Sequence, residues 1–160
     1  MITQIRRATE QDAKTIAFLN ADVHQLHADA LPHWFKQPSN ETFPEAKVQA
    51  LLAKPENFFF IASEADQAVG YLFAEVVERP EDGMRHARDW VYIHQISIKP
   101  AYQQHGHGER LIAAAKALAQ ERGIPTVALD VWAFNDKARS FFERQGFTVF
   151  NYRMWMEAGQ

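Results

Sequence analysis

Residues 90–125 leave this chain the fewest choices. An alternating apolar run, WVYIHQISIKP, passes through Gln103-Gln104-His105-Gly106-His107-Gly108 into an alanine-rich amphipathic stretch, ERLIAAAKALAQERG, closed by Gly123 and Pro125. A run rich in β-branched and aromatic residues, TVALDVWAFN, follows. Strand, helix and strand in that order join as a parallel crossover. The glycines stand where the strand gives way to the helix, and without a β-carbon the backbone there can turn tightly and let a ligand approach. A helix opening directly after a strand presents unpaired N–H groups and the positive end of its dipole, which suits phosphate. The same glycines would serve a plain strand-to-helix turn, and spacing alone leaves both readings standing. It does exclude two motifs: a dinucleotide fingerprint needs a glycine where Leu111 stands, and a P-loop needs a Gly-Lys-Ser/Thr ending that is absent.

The rest of the chain fits around that crossover. ITQIRRAT alternates as a first strand, and Thr9 with Asp12 resembles a capping box opening a helix. Ile16, Leu19, Val23 and Leu26 form one apolar stripe on that helix, which ends before Pro32. HADALPHWFKQPSNETF reads as an irregular or short-helical connection to a second helix around Pro44 to Lys54. Two strands, about Phe58 to Glu64 and Ala68 to Glu78, make a hairpin with a tight turn at Asp66-Gln67. Arg79 to Asp89, with Pro80 and Gly83, is an exposed loop. The helix after the glycines covers about Gly108 to Arg122, DKARSFFERQG is a short helix stopped by Gly146, and FTVFNYRMWME is a last strand. The order β-α-α-β-β-β-α-β-α-β implies an α/β protein with a mixed sheet.

A length of 160 residues with 47% hydrophobic composition suits one domain spanning residues 1–160. With 17 Lys+Arg against 20 Asp+Glu, nothing draws the whole molecule to nucleic acid or anionic membrane. No cysteine is present, which excludes a disulfide framework, thiolate zinc and a cysteine nucleophile. MITQIRRATEQD lacks a signal-peptide core and no apolar run is long enough to span a membrane, so a soluble, cytoplasmic protein is expected. The pair His105-x-His107 offers two imidazoles, but a third ligand would have to come from distant His, Asp or Glu, and no metal is expected.

HQISIKPAY, the Q-x-x-G-x-G of Gln103, Gly106 and Gly108, and the helix ERLIAAAKALAQERG together resemble motif A of the GNAT superfamily of N-acetyltransferases. NDKARSFFERQGF, Asn135 to Phe147, is similar to that superfamily's second signature. The order of elements over nearly the whole chain is similar too. The resemblance implies a central, mostly antiparallel sheet splayed between the fourth and fifth strands and flanked by about four helices. It implies acetyl-CoA as co-substrate, its pyrophosphate on main-chain N–H groups of Gln103, Gln104, His105, Gly106, His107, Gly108 and Glu109. Its pantetheine arm would pair with Ile96, Ser97 and Ile98 as an added strand does, and one N–H there would face the acetyl carbonyl. Asn135, Arg139 and Phe142 would flank the cofactor's other side, although Arg139 reads equally well as an exposed helix arginine.

Acetyl transfer to an amine needs a base, and YIHQISI resembles the His-containing strand of aralkylamine N-acetyltransferases. His94 is then the base, or else a satisfied, partly buried histidine. Many family members carry an acid tyrosine where this chain has Phe142, which leaves Tyr152, Tyr71 or water to protonate the departing thiolate. Family habit places the acceptor between the first two helices, where His24, His27, Asp29, His33, Trp34 and Phe35 concentrate. His27, Trp34 and Phe35 would bind an amine there, or Trp34 and Phe35 pack the loop onto the body. Asp22 and Glu75 have no stronger claim than a solvated surface. The acceptor is a small-molecule amine or a protein amine, no nucleic acid or membrane partner is expected, and family habit suggests a homodimer. Phe142 and the uncertain base keep a non-catalytic acyl-CoA binding or sensing module as the alternative.

Overall fold

The first strand, β1 (Thr3–Arg7), passes at Thr9 into a single 3₁₀ turn, Glu10–Asp12, through the expected capping box. The Thr9 N–H donates to Asp12 Oδ2 at 2.8 Å, and Arg6 grips the same carboxylate with two hydrogen bonds of 2.8 and 2.7 Å. The Arg6 guanidinium, helped by the Thr9 N–H, holds the Asp12 carboxyl below its usual range. The chain then enters α1 (Ala13–Ala30), which stops before Pro32 as expected.

The computed structural model describes residues 2–159, divided into two units, Met1–Asp130 and Val131–Gln160. In the first unit one sheet runs in the order β1-β2-β3-β4-β5, with β2 (Asn57–Glu64), β3 (Gln67–Val77), β4 (Trp90–Ile98) and β5 (Thr126–Leu129). The pairs from β1 to β4 are antiparallel and β4 pairs with β5 in parallel. Phe59, Ile61, Tyr71 and Phe73 point from one sheet face into a core with Ile16 and Leu19 of α1 and Val48 of α2 (Glu45–Leu52). The other face is covered by α3 (His107–Glu121), which buries Leu111, Ile112, Ala115, Leu118 and Ala119, a repeat of three and four. Arg122, one residue past α3, lies over the ring of Phe58, whose side chain points opposite to that of Phe59.

Two geometric details shape the region described next. β5 pairs only with Trp90–Ile93, so beyond Ile93 the β5-facing edge of β4 has no partner strand among the described residues. β3 stays with β4 to its end, and Gly70 opposite Ile98 makes that possible, since a β-carbon there would sit 2.6 Å from the Ser97 carbonyl oxygen.

Four expectations need correction. The hairpin turn centres on Ala65 and Asp66, both at positive φ, one residue earlier than expected, because Glu64 pairs with Gln67. The α1 stripe does not continue to Leu26, which is 48% exposed; it bends through Asn20 to Ala28 as a straight helix drifts past the sheet. β5 is four residues long and does not extend through Phe134. In the second unit the last strand is absent: residues 147–159 carry no strand, although FTVFNYRMWME has the composition of one. A strand needs an edge to pair with, which alternation cannot supply. That unit holds α4 (Asp136–Arg144), capped by Asn135, whose side-chain oxygen accepts from the Ala138 N–H at 3.1 Å, and ended by Gly146 at φ +97°.

Candidate active site

The glycine segment forms a tight turn between β4 and α3. A short 3₁₀ turn, Pro100–Tyr102, carries the chain off the sheet, and the Gln103 side chain donates back to the Ile98 carbonyl at 3.2 Å. Gln104 at φ +65° and Gly106 at φ +84° then reverse it into the helix. A β-carbon on Gly106 would meet the Arg110 guanidinium at 2.8 Å. That guanidinium caps the turn from beneath, donating to the His105 carbonyl at 3.3 Å. The first N–H groups of α3 open at this turn beside the unpaired edge of β4, so phosphate-seeking amides and a strand-seeking edge are continuous.

Beneath the turn lies a buried polar cluster that sequence reasoning did not assemble. His107 Nε2 is 2.6 Å from Glu64 Oε2, and His105 Nδ1 is 3.5 Å from the same oxygen. His107 and Glu64 are both buried. Glu64, at the end of β2, is a third ligand of the distant kind that the sequence requires, and the three ligand atoms lie within 4.8 Å of one another. The 2.6 Å contact of His107 with Glu64 is nevertheless that of a hydrogen bond, shorter than the roughly 3.4 Å that separates two ligands of one tetrahedral ion. A carboxylate only accepts, so the contact places the proton on His107 Nε2 and leaves its buried Nδ1 without a partner. The cluster straps the start of α3 to β2.

The hydrogen bond from His107, with a smaller contribution from His105, holds the Glu64 carboxyl below its usual value of 4.5. A folded value below the unfolded one adds stability that is complete above pH 4.5 and is lost as pH falls through the folded value. The thermal midpoint of the wild type is therefore expected to fall more steeply with acid than that of Glu64→Gln. The gap between the two proteins should be widest at neutral pH and close toward pH 3; parallel curves would show that the pair contributes nothing.

His94 sits at a β-bulge. Ala74 faces Ile93 and Phe73 faces Gln95, so His94 is the extra residue of β4. The His94 ring stacks on Phe73 at 4.8 Å, while Gln95 accepts from the Tyr71 hydroxyl at 2.7 Å. Tyr71 and Phe73 share one face of β3, so the consecutive residues His94 and Gln95 both project to the α1 and α2 side, which regular alternation forbids. The Tyr92 ring meets His94 edge-on at 4.8 Å, and the Tyr92 hydroxyl donates to Asp130. His94 Nε2 lies 2.6 Å from Glu75 Oε2, with both side chains about one-third exposed (36% and 34%). Glu75 is thus no idle surface carboxylate; its neighbour is legible only once the β3 and β4 register is known.

The other expected residues divide. Ser97 donates its hydroxyl to the Leu19 carbonyl at 2.9 Å, tying β4 to α1, while Ile96 and Ile98 belong to the open edge. Tyr71 is fully buried, accepts from Asn20 at 2.9 Å, and has its hydroxyl pushed well up by burial, which disqualifies it as a proton donor to the thiolate. His27 contacts its own helix at the Val23 carbonyl, 2.7 Å away, and Phe35 sits edge-on to His24 and His27. The open cleft of this region, about 460 Å³, is lined instead by Phe18, Asn20, Ser39, Thr42, Phe43 and neighbours. His27, Trp34 and Phe35 are not among its walls. In the second unit Asn135 caps α4, Arg139 pairs with Glu143 at 2.9 Å, and Phe142 is buried against Phe147. Tyr152 there is 75% exposed.

Among the described residues no helix is long and apolar enough to cross a membrane. Comparison with known proteins agrees with this geometry. The "Uncharacterized N-acetyltransferase YhfO" of Bacillus subtilis (strain 168) is 27% identical over 143 residues, covering 89% of this chain and 88% of that protein. Among solved structures, the tetramutant of the BH1408 protein from Bacillus halodurans superposes with a TM-score of 0.91 at 23% identity, covering 98% of this chain and 99% of that one. AAC(6')-Iy, solved with the bisubstrate analog CoA-S-monomethyl-acetylneamine, superposes at 0.75 with 18% identity over the full length of both chains. The Acetyltransferase (GNAT) family matches residues 20–147, and the chain belongs to that family of acetyl-CoA-dependent acetyltransferases.

Proposed function

We propose that this protein transfers the acetyl group of acetyl-CoA to a primary amine by direct attack in a ternary complex, with His94 as the base. The observation that carries the reading is the bulge that leaves both His94 and Gln95 on the α1 and α2 face of β4, where β4 runs on with no strand on its β5 side among the described residues. A thioester lying along that edge as an added strand would bring its carbonyl beside the imidazole. The diphosphate would lie at the turn from Gln103 to Glu109, whose reversal into the helix depends on Gly106 at φ +84°. A main-chain N–H of Ile96, Ser97 or Ile98 would stabilise the oxyanion.

The chemistry balances with one proton released. An alkylammonium with a pKa of about 10 gives a proton to His94 and the free amine attacks the thioester carbon. The tetrahedral adduct gives its second nitrogen proton to water, the C–S bond breaks as the carbonyl re-forms, and coenzyme A leaves as a thiolate. A thiol pKa of about 8.5 makes that departure feasible without a strong acid, and water then supplies the proton. The acceptor approaches from the α1 and α2 side, where the cleft walled by Phe18, Asn20 and Thr42 opens. A cationic amine suits Asp130, the carboxylate next to Tyr92.

The test is turnover. With acetyl-CoA and a panel of spermidine, tryptamine, sisomicin and a lysine peptide, at least one amine should release free thiol at a rate proportional to enzyme. Binding of acetyl-CoA with no acetylation of any amine would favour the non-catalytic reading.

A further inference from the structure

We infer that Glu75 is a positioning residue for His94: its carboxylate fixes the imidazole with the proton on Nε2, so that Nδ1 is the nitrogen that takes the proton from the amine. The inference deepens the proposed function and rests on His94 being the base.

Three restraints converge on one ring. Phe73 stacks on it at 4.8 Å with an interplanar angle of 24°, Tyr92 meets it edge-on at 4.8 Å, and Glu75 Oε2 stands 2.6 Å from Nε2. Stacking fixes the plane of an imidazole but leaves open a 180° flip that exchanges its nitrogens; the carboxylate breaks that degeneracy. Because a carboxylate only accepts hydrogen bonds, the contact selects the Nε2–H tautomer and leaves the lone pair on Nδ1. The same carboxylate stabilises the imidazolium that forms when Nδ1 takes a proton, so its effect grows along the reaction coordinate.

Register explains how the pair forms. Glu75 faces Tyr92, two residues before His94, which makes it the diagonal neighbour of His94 on the same sheet face, a distance that a long side chain spans. The bulge leaves both His94 and Gln95 against Phe73, with the His94 ring over Phe73 and its Nε2 reaching back to Glu75. Tyr92 is held by its hydroxyl on Asp130 at the end of β5, so the ring is walled from the β5 side as well. A glutamate serving only solubility needs none of this.

The experiment combines histidine-labelled NMR of the free protein with steady-state kinetics using acetyl-CoA and the fastest amine of the panel above. In the wild type, the His94 ring, identified by its absence in His94→Ala, should show a protonated Nε2 and a bare Nδ1. In Glu75→Gln, whose amide can donate as well as accept, the two tautomers should mix. Its kcat should fall by about 10- to 100-fold, below the full contribution of a general base, with acceptor KM within about twofold. The double variant should be no slower than His94→Ala, because a positioning residue has nothing to act on once the ring is gone.

Other outcomes overturn the inference in distinguishable ways. Wild-type kcat in Glu75→Gln, with His94→Ala inactive, removes Glu75 and leaves the base in place. A raised KM with unchanged kcat makes Glu75 a contact for the acceptor's cation. Full activity in His94→Ala, or no turnover of any amine by the wild type, removes the base reading and the inference with it.

Discussion

His94→Ala is expected to lower kcat by about 10²- to 10⁴-fold at neutral pH, the range that a positioned general base supplies, while acetyl-CoA binding stays unchanged. Binding should survive because the proposed coenzyme contacts are main-chain groups of Ile96–Ile98 and the glycine turn. The loss should also depend on pH. As pH rises toward the acceptor's own pKa of about 10, a growing fraction of amine is already deprotonated and the variant should recover part of its activity. A structural histidine would behave differently, lowering the thermal midpoint and costing rate equally at all pH values. Retention of more than a third of wild-type kcat at pH 7 would remove His94 from the mechanism.

Gly106→Val is expected to weaken acetyl-CoA binding by about 5- to 150-fold. Gly106 holds φ +84°, where a β-branched residue is a true outlier, and its new side chain would start 2.8 Å from the Arg110 guanidinium. Arg110 can yield, as the end of a flexible side chain, but the backbone strain of about 1–3 kcal/mol remains. That strain reduces the fraction of molecules with a competent turn, and apparent affinity falls in proportion. Gly83→Ala is the matched control, because that glycine lies in an exposed loop with open space where the β-carbon would go. Calorimetric titration of both variants checks the prediction, and equal affinity in the two would mean that the turn does not hold the phosphates.

The residues legible from sequence are those whose role is local. The capping box at Thr9, the three-and-four repeat of α3, the end of α1 before Pro32 and the glycine turn each depend on neighbours within a few positions. The splay of the sheet followed from the family resemblance, and the short pairing of β5 with Trp90–Ile93 agrees with it. Long-range partners were not legible. Glu75 meets His94 only through the β3 and β4 register, and Glu64 reaches His107 across 43 positions. Asn20 joins Tyr71 and Gln95 through a buried chain of hydrogen bonds that no periodicity announces. FTVFNYRMWME failed for a related reason: it carries strand composition, yet in the second unit it has no paired edge. His27, Trp34 and Phe35 stand out by aromatic content, which does not announce that Phe35 stands edge-on to His24 and His27.

The most direct measurement is a calorimetric comparison of acetyl-CoA with acetyl-pantetheine on the wild-type protein. Both carry the thioester and the arm that would pair with Ile96–Ile98, but only acetyl-CoA carries the diphosphate for the turn at Gly106 and Gly108. The account predicts a Kd for acetyl-CoA of about 1–100 μM, near −8 to −5.5 kcal/mol, and binding of acetyl-pantetheine at least tenfold weaker. Equal affinities, or no heat with acetyl-CoA, would contradict it.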